Sequence, residues 1–308
     1  MKTDEVISEI EKVIRGKRAV ITMTLATLLA GGHVLLEDIP GVGKTTLAVA
    51  LSRALGLEYS RVQFTPDVVP GDLLGFTYYD QKSGEFIFRE GSIYTNLFLA
   101  DEINRTSPKT QSALLEVMEE RNATVEGKTR KLPAPFFVIA TENPYGSSGT
   151  QKLPESQMDR FMTCMSMGYP DHTSEVEVLR NDARSKIESV NPILSAEEII
   201  EIQRTVNQIH TDQSVYDYIV ALSEATRQDE RLSLGLSPRG SIALYKVSCA
   251  LAYMSERDYV TPLDINAAWM RVASHRVRIS ARGRSLGLTS DDVLDQIIKS
   301  VPVPKVGQ

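Results

Sequence analysis

Up to about Pro170 the chain alternates short apolar runs with longer stretches whose apolar residues recur every three or four positions. His33 to Ile39 (HVLLEDI), Glu58 to Phe64, Asn96 to Glu102 (NLFLADE), Pro135 to Asn143 (PFFVIATEN) and Phe161 to Tyr169 read as strands. The third and fourth are almost uninterrupted apolar runs, as in parallel strands covered on both faces. Thr45 to Leu55 (TTLAVALSRAL) has helical spacing and is stopped by Gly56. Strands alternating with helices predict an α/β layered sheet.

Beyond Pro170 the strand signal disappears and helix-start signals recur. Ser195-Ala-Glu-Glu198 fits a capping box, and Ser237-Pro238 and Thr261-Pro262 each set a hydroxyl before a proline at the first helical position. Val215 to Thr226, Ser241 to Met254 and Asp264 to Ala273 carry apolar residues at helical spacing. The pattern predicts an α/β domain over 1–190 and a small all-helical domain over 191–308, hinged near Asn191-Pro192. Two stretches interrupt it. Within 67–91, rich in Gly and aromatics, Tyr79 to Phe86 reads as a hairpin turn; a second hairpin is expected around Thr124 to Lys131, within 122–133. Such projections are either surface decoration or functional insertions.

Composition narrows the class. At 308 residues the chain is long enough for two domains with a core of their own. Its start, MKTDEVISEIEKV, lacks the basic and apolar regions of a signal peptide, and no apolar run approaches the ~20 residues of a membrane helix. Cys164 and Cys249 lie far apart in apolar surroundings and read as reduced core residues, which points to a cytoplasmic protein. The dispersed histidines show no zinc spacing. With 34 basic against 40 acidic residues the net charge is −6, which disfavours a dedicated nucleic-acid binder.

The strongest chemical signal is HVLLEDIPGVGKTTLAVALSRAL. A strand ends, a Gly-containing turn follows, and Gly43-Lys44-Thr45 opens a helix. In such a turn (Pro40, Gly41, Val42, Gly43, Lys44, Thr45, Thr46) the backbone N–H groups, which every residue but Pro40 carries, and the helix dipole can cradle phosphates. Lys44 would reach the β- and γ-phosphates of ATP and Thr45 would hold Mg²⁺. The strict pattern places Gly where Asp38 stands. A second Gly-Lys-Thr, Gly127 to Thr129, sits among charges and runs into Leu132-Pro133, so it reads as a hairpin turn. NLFLADEINR supplies the companion: Asp101 for Mg²⁺ and Glu102 as general base for an attacking water. Asn143, ending the next strand, can hold that water or the γ-phosphate, or simply mark a turn. Arg160 precedes the last strand. Arg239 occupies the first turn of a helix, where the dipole disfavours a cation unless it faces a phosphate.

In these residues the chain resembles the AAA+ ATPases, and more narrowly the MoxR family, from about Val6 to Val301. The markers are LLEDIPGVGKT, VQFTPDVVPGDLLGF, GEFIFREG, LADEINR, ALLEVMEER, ATENP, LPESQMDRF and LSPRG, in that order. The resemblance implies a P-loop NTPase sheet domain followed by a helical lid. It makes Asn143 the sensor-1 residue, Arg160 an arginine finger acting on a neighbouring subunit, and Arg239 the sensor-2 residue of the lid. Val13-Ile14-Arg15-Gly16 resembles the segment lining the adenine, so Ile14 and Gly16 become nucleotide-binding candidates; a plain helix end is the alternative. It further implies a hexameric ring that hydrolyses ATP at subunit interfaces, with a chaperone-like role toward partner proteins, often with von Willebrand factor A domains. On this reading ATP sits between sheet domain and lid, spanned by Arg239.

Three rivals remain on sequence grounds. A nucleotide-binding switch or scaffold that no longer cycles is opposed by Glu102, Asn143 and Arg160. A DNA-remodelling ring draws on the basic segment Arg271 to Arg284, for which contact with an acidic neighbouring subunit is the favoured reading. A small-molecule phosphotransferase gives no reason for Asn143, Arg160 or the Ser-Pro-Arg helix start.

Overall fold

The computed structural model describes residues 2–143, 153–180 and 187–304. Strands β1 (Val34–Glu37), β2 (Tyr59–Gln63), β5 (Leu97–Asp101), β8 (Phe137–Glu142) and β9 (Thr163–Met165) form a parallel sheet in the order β2-β5-β8-β1-β9. These are the five runs read as strands. Their alternate residues point to opposite faces. Val34, Leu36, Leu97, Leu99, Phe137 and Ile139 enter one core, while Leu35, Phe98, Ala100, Val138 and Ala140 enter the other. Both faces of the inner strands β5, β8 and β1 are covered, which is why those runs carry so little polar interruption, while edge strand β2 stays part-exposed.

Helices α1 (Lys2–Glu11), α2 (Arg18–Leu29) and α3 (Lys44–Ala54) pack into the first core, and α5 (Pro108–Glu120) covers the second. The two interruptions are hairpins: β3 (Phe76–Asp80) with β4 (Glu85–Arg89), after the short α4 (Pro70–Leu74), and β6 (Asn122–Val125) with β7 (Lys128–Lys131). Gly127-Lys128-Thr129 turns the second hairpin. Glu126 and Gly127 both have left-handed φ, +53° and +74°, as a two-residue hairpin turn of matching twist requires.

After α6 (Glu155–Met158) and α7 (His172–Arg180), the chain is mainly helical: α8 (Ala196–Val206), α9 (Gln213–Gln228), α10 (Pro238–Met254), α11 (Pro262–Ala273), α12 (Ala281–Ser285) and α13 (Ser290–Ser300). The capping box at Ser195 forms, and the Ser237 hydroxyl accepts the N–H of Gly240. The region is not wholly helical, because β10 (Leu232–Leu234) and β11 (Arg278–Ile279) make a short antiparallel ribbon. They are too short to produce a period-2 signal.

The helical part is also less separate than the sequence pattern suggests. A single apolar core runs from Val6 and Leu25 through Leu51 to Val215, Leu244, Trp269 and Ile297. At the expected hinge, Ile193 and Leu194 donate to Ala54 O, and Asn191 N donates to Glu9. Gln203 Nε2 donates to Leu28 O at 2.7 Å. The deepest link is Arg276, 6% exposed. Its guanidinium meets Asp159 at 2.7 Å and donates to the carbonyls of Asp159, Phe161, Met162 and Val272.

Candidate functional site

The turn between β1 and α3 is built for close approach of a ligand to backbone. Gly41 and Gly43 have φ of +87° and +98°, a region that side chains disfavour, and a Cβ at Gly41 would meet nothing within 4 Å. Lys44 opens α3 and is buried; its ammonium donates to Asp38 O at 2.7 Å and Ile39 O at 3.1 Å. Burial pulls Lys44 below the ordinary lysine range, opposed by the charges of Asp38, Asp101 and Glu102. Thr45 and Thr46 are part-exposed on the first turn of α3.

Asp38, the departure from the strict glycine pattern, has work of its own. Its Oδ2 accepts the N–H groups of Met167 and, at 3.1 Å, Gly168, tying the turn to the segment after β9. A glycine would leave those N–H groups without this acceptor. Ile14 lies against the same turn, since a Cβ at Gly43 would stand 3.6 Å from Ile14 Cδ1. Gly16, with φ +67°, is pressed against Asp171 and Ser174 at the start of α7, where a Cβ would come within 2.8 Å.

Asp101 ends β5 and is buried. Its Oδ1 accepts the Thr141 hydroxyl at 2.7 Å, and Thr141 Oγ1 in turn accepts Glu102 N–H at 2.8 Å. Glu102 turns out of the strand in the left-handed region (φ 57°, ψ 51°), an uncommon backbone for a non-glycine that clusters at functional sites. Its Oε2 accepts Arg105 Nη1 at 2.7 Å and Gln63 Nε2 at 3.0 Å. Asn143 follows β8 at the same sheet edge, and its carbonyl accepts Asn104 Nδ2 at 3.4 Å. Pro144, the second half of its Asn-Pro pair, lies outside the described residues. Thr45, on the first turn of α3, and Asp101, at the end of β5, carry hard oxygen donors of the kind suited to Mg²⁺. Sequence reasoning missed Arg61, Gln63, Arg105 and Thr141. Arg61 and Gln63 left a faint trace as two polar residues at i and i+2 of β2.

Arg160 and Arg239 are elsewhere. In a parallel sheet every strand points the same way, so Lys44, Asp101, Glu102 and Asn143 collect at the C-terminal edge. Arg160 lies before the N-terminus of β9. Glu119, at the end of α5, receives both Arg160 (3.6 Å) and Arg239. These residues line a cleft of about 240 Å³ with Arg121, Asp159, Lys246 and the Gly31-Gly32 turn that precedes β1. Between the two edges runs β1, four residues or roughly 13 Å long. The expectation that Arg239 spans ATP beside Lys44 of its own chain is therefore corrected: Arg239 joins Arg160 on the opposite edge. The cause is the lid's attachment, since Asp159 grips both Arg276 and the Ser237 hydroxyl that caps α10.

Four arginines of the basic segment Arg271 to Arg284 make contacts within the chain, and of these only Arg276 is buried. Arg276 is buried, Arg278 pairs with Glu155 at 2.7 Å, Arg282 pairs with Glu230, and Arg284 donates to Ile279 O. Cys164 and Cys249 are both free and buried, as expected. Among the described residues no His/Cys/Asp/Glu group could hold a metal by itself, and no helix is long and apolar enough to cross a membrane.

Comparison with known proteins gives the family and the fold. Residues 33–163 match the family model "ATPase family associated with various cellular activities (AAA)", and residues 224–297 match the AAA lid domain. Chaperone MoxR1 of Mycobacterium tuberculosis is 35% identical, over 98% of this chain and 82% of its own. Protein YeaC of Bacillus subtilis is 46% identical, over 97% and 93%. A solved structure from Cytophaga hutchinsonii, described as a candidate ATPase, superposes with a TM-score of 0.91 at 36% identity, covering 99% of this chain and 95% of that one.

Proposed function

The chain belongs to the MoxR family of AAA+ ATPases, and from that premise we propose that it hydrolyses ATP at sites completed by a neighbouring copy in a ring. The observation that carries this reading is the division of the machinery between opposite edges of one sheet. Lys44, Asp101 and Glu102 face one way, while Arg160 and Arg239 share Glu119 on the other. Two copies stacked edge to edge around a ring bring one set to the other.

In that arrangement the N–H groups of residues 41–46 and the N-terminus of α3 hold the phosphates, with Ile14 and Gly16, in the turn between α1 and α2, on the nucleotide side. Lys44 releases Asp38 O and Ile39 O to bind β- and γ-oxygens. Thr45 and Asp101 would hold Mg²⁺, which neutralises charge on those oxygens. Glu102 takes a proton from water as the water oxygen bonds to the γ-phosphorus and the bridge to the β-phosphate breaks, giving ADP and phosphate. The Asn143 amide orients that water. Arg160 and Arg239 of the adjacent copy exchange Glu119 for the γ-phosphate, and charge supplied in this way is worth orders of magnitude in rate.

The cycle would serve maturation or remodelling of partner proteins, von Willebrand factor A domain proteins being the class the resemblance implies. The exposed hairpin aromatics Tyr79 and Phe86 (77% exposed) offer a contact surface for them. The DNA-remodelling alternative is weakened at Arg276, which is buried against Asp159, while Arg278 and Arg282 keep 65% side-chain exposure beside their partners. A mixing experiment tests the shared site. Lys44→Ala and Arg160→Ala should each release phosphate at background rates alone. Mixed, they should recover a measurable fraction of activity, because one interface type pairs an intact Lys44 with an intact Arg160. No recovery in demonstrably mixed oligomers would refute action between copies.

A further inference from the structure

Asp101 is more heavily bonded than a carboxylate that only has to hold a cation. Its Oδ1 accepts the Thr141 hydroxyl at 2.7 Å, while Oδ2 accepts both Nε and Nη2 of Arg61, at 3.2 and 2.7 Å. A carboxylate oxygen offers about two lone-pair sites, so Arg61 saturates Oδ2 and leaves an open direction on Oδ1. The contact is built into the sheet. β2 and β5 are adjacent, Gln63 stands opposite Asp101 in the register, and Arg61 is two residues back, so both project from one face of β2. Gln63 Oε1 accepts Arg61 Nη2 at 3.0 Å, which holds the guanidinium from a second side. None of this is needed to stabilise the fold, because the Arg61 side chain is 44% exposed and such pairs contribute little.

We propose that Arg61 is a positioning residue that moderates how tightly the Asp101 site takes a divalent cation, by blocking Oδ2, presenting Oδ1 and opposing the cation's charge. This rests on the assignment of Asp101 to Mg²⁺ made above. A fixed positive charge beside the carboxylate keeps the metal exchangeable, which suits a site that must release Mg²⁺ with its product in every cycle. The geometry of Arg61 matters as well as its charge, because a planar guanidinium engages one oxygen through two N–H groups and still reaches Gln63, which an ammonium does not.

The test is binding of N-methylanthraniloyl-ATP to the full chain, titrated with MgCl₂ and repeated in EDTA. Arg61→Ala should lower the Mg²⁺ concentration for half-maximal binding by roughly 5- to 20-fold, as expected from removing one charge near a divalent cation at a part-exposed site. Arg61→Lys, which keeps the charge, should shift it by less than about threefold. Binding in EDTA and the thermal melt should stay unchanged in both. An Mg²⁺ midpoint that is unchanged or raised in Arg61→Ala overturns the proposal. So does loss of EDTA binding, which would make Arg61 a structural support. Asp101→Asn separates this from the parent reading: if it leaves the Mg²⁺ midpoint unmoved, Asp101 is not the metal carboxylate, whatever Arg61 does.

Discussion

Replacing Arg276 with Met tests how the lid is held and what that holding is for. The guanidinium is almost wholly buried, with side-chain exposure of 2%, and satisfies the Asp159 carboxylate and four backbone carbonyls from both halves of the chain. Met preserves much of the stem's packing but removes a donor from all five acceptors, of which Asp159 keeps the Ser237 hydroxyl and Phe161 O keeps His275 Nε2. Removing one partner of a buried ion pair costs about 3–5 kcal/mol. Asp159 retains 23% exposure, so water recovers part of its share; we expect a loss of about 3 kcal/mol, a large part of a typical ~5–15 kcal/mol total. Asp159→Asn keeps an acceptor and should cost about 1–2 kcal/mol. Urea unfolding followed by far-ultraviolet circular dichroism measures both, with phosphate release assayed in parallel. Turnover should fall with ATP binding retained, because Asp159 also accepts the Ser237 hydroxyl at the start of the helix that carries Arg239. A stability loss under about 1 kcal/mol would refute the anchoring argument, and normal turnover in a destabilised variant would refute its link to Arg239.

Glu102→Gln should keep ATP binding while phosphate release drops at least ~100-fold, since an amide cannot take the proton from water; a smaller drop would assign the base elsewhere. Asp38→Gly restores the strict glycine pattern yet should weaken the site, because the N–H groups of Met167 and Gly168 lose their acceptor. A loss of about 1–3 kcal/mol in stability and a higher Kd for ATP are expected, and a gain in either would contradict the bracing role. Burial holds the His33 imidazole down at about 4, neutral between Met118 O and the Val138 N–H. Unfolded, His33 takes a proton below about 6.5, so the unfolded state binds more protons between these values and stability falls as pH drops from about 6.5 to 4. The loss is of order 3 kcal/mol. Urea midpoints at pH 7.5, 6 and 5 should show it, with a shallower slope in His33→Gln.

Local chemistry made much of this protein readable in advance. The inner strands β1, β5 and β8 were visible as apolar runs, because burial on both faces removes polar residues from them, whereas edge strand β2 (YSRVQ) is part-exposed and carries a weaker signal. Both hairpins and the helix starts at Ser195, Ser237 and Thr261 were visible because turns and caps are specified by a few adjacent residues. The same holds for Gly43-Lys44-Thr45 and Asp101-Glu102, whose chemistry depends on contiguous backbone at a strand end. What the chain could not reveal was anything requiring two distant segments to meet. Nothing near Arg276 announces Asp159, nothing near Arg61 announces Asp101, and a charge count over 271–284 cannot separate a buried guanidinium from an exposed one. Most consequentially, the motif order suggested one ATP crevice spanned by Arg239. Which sheet edge a lid residue reaches depends on where the lid is bolted down, and only the buried contacts of Asp159, Arg276 and the shared core decide that.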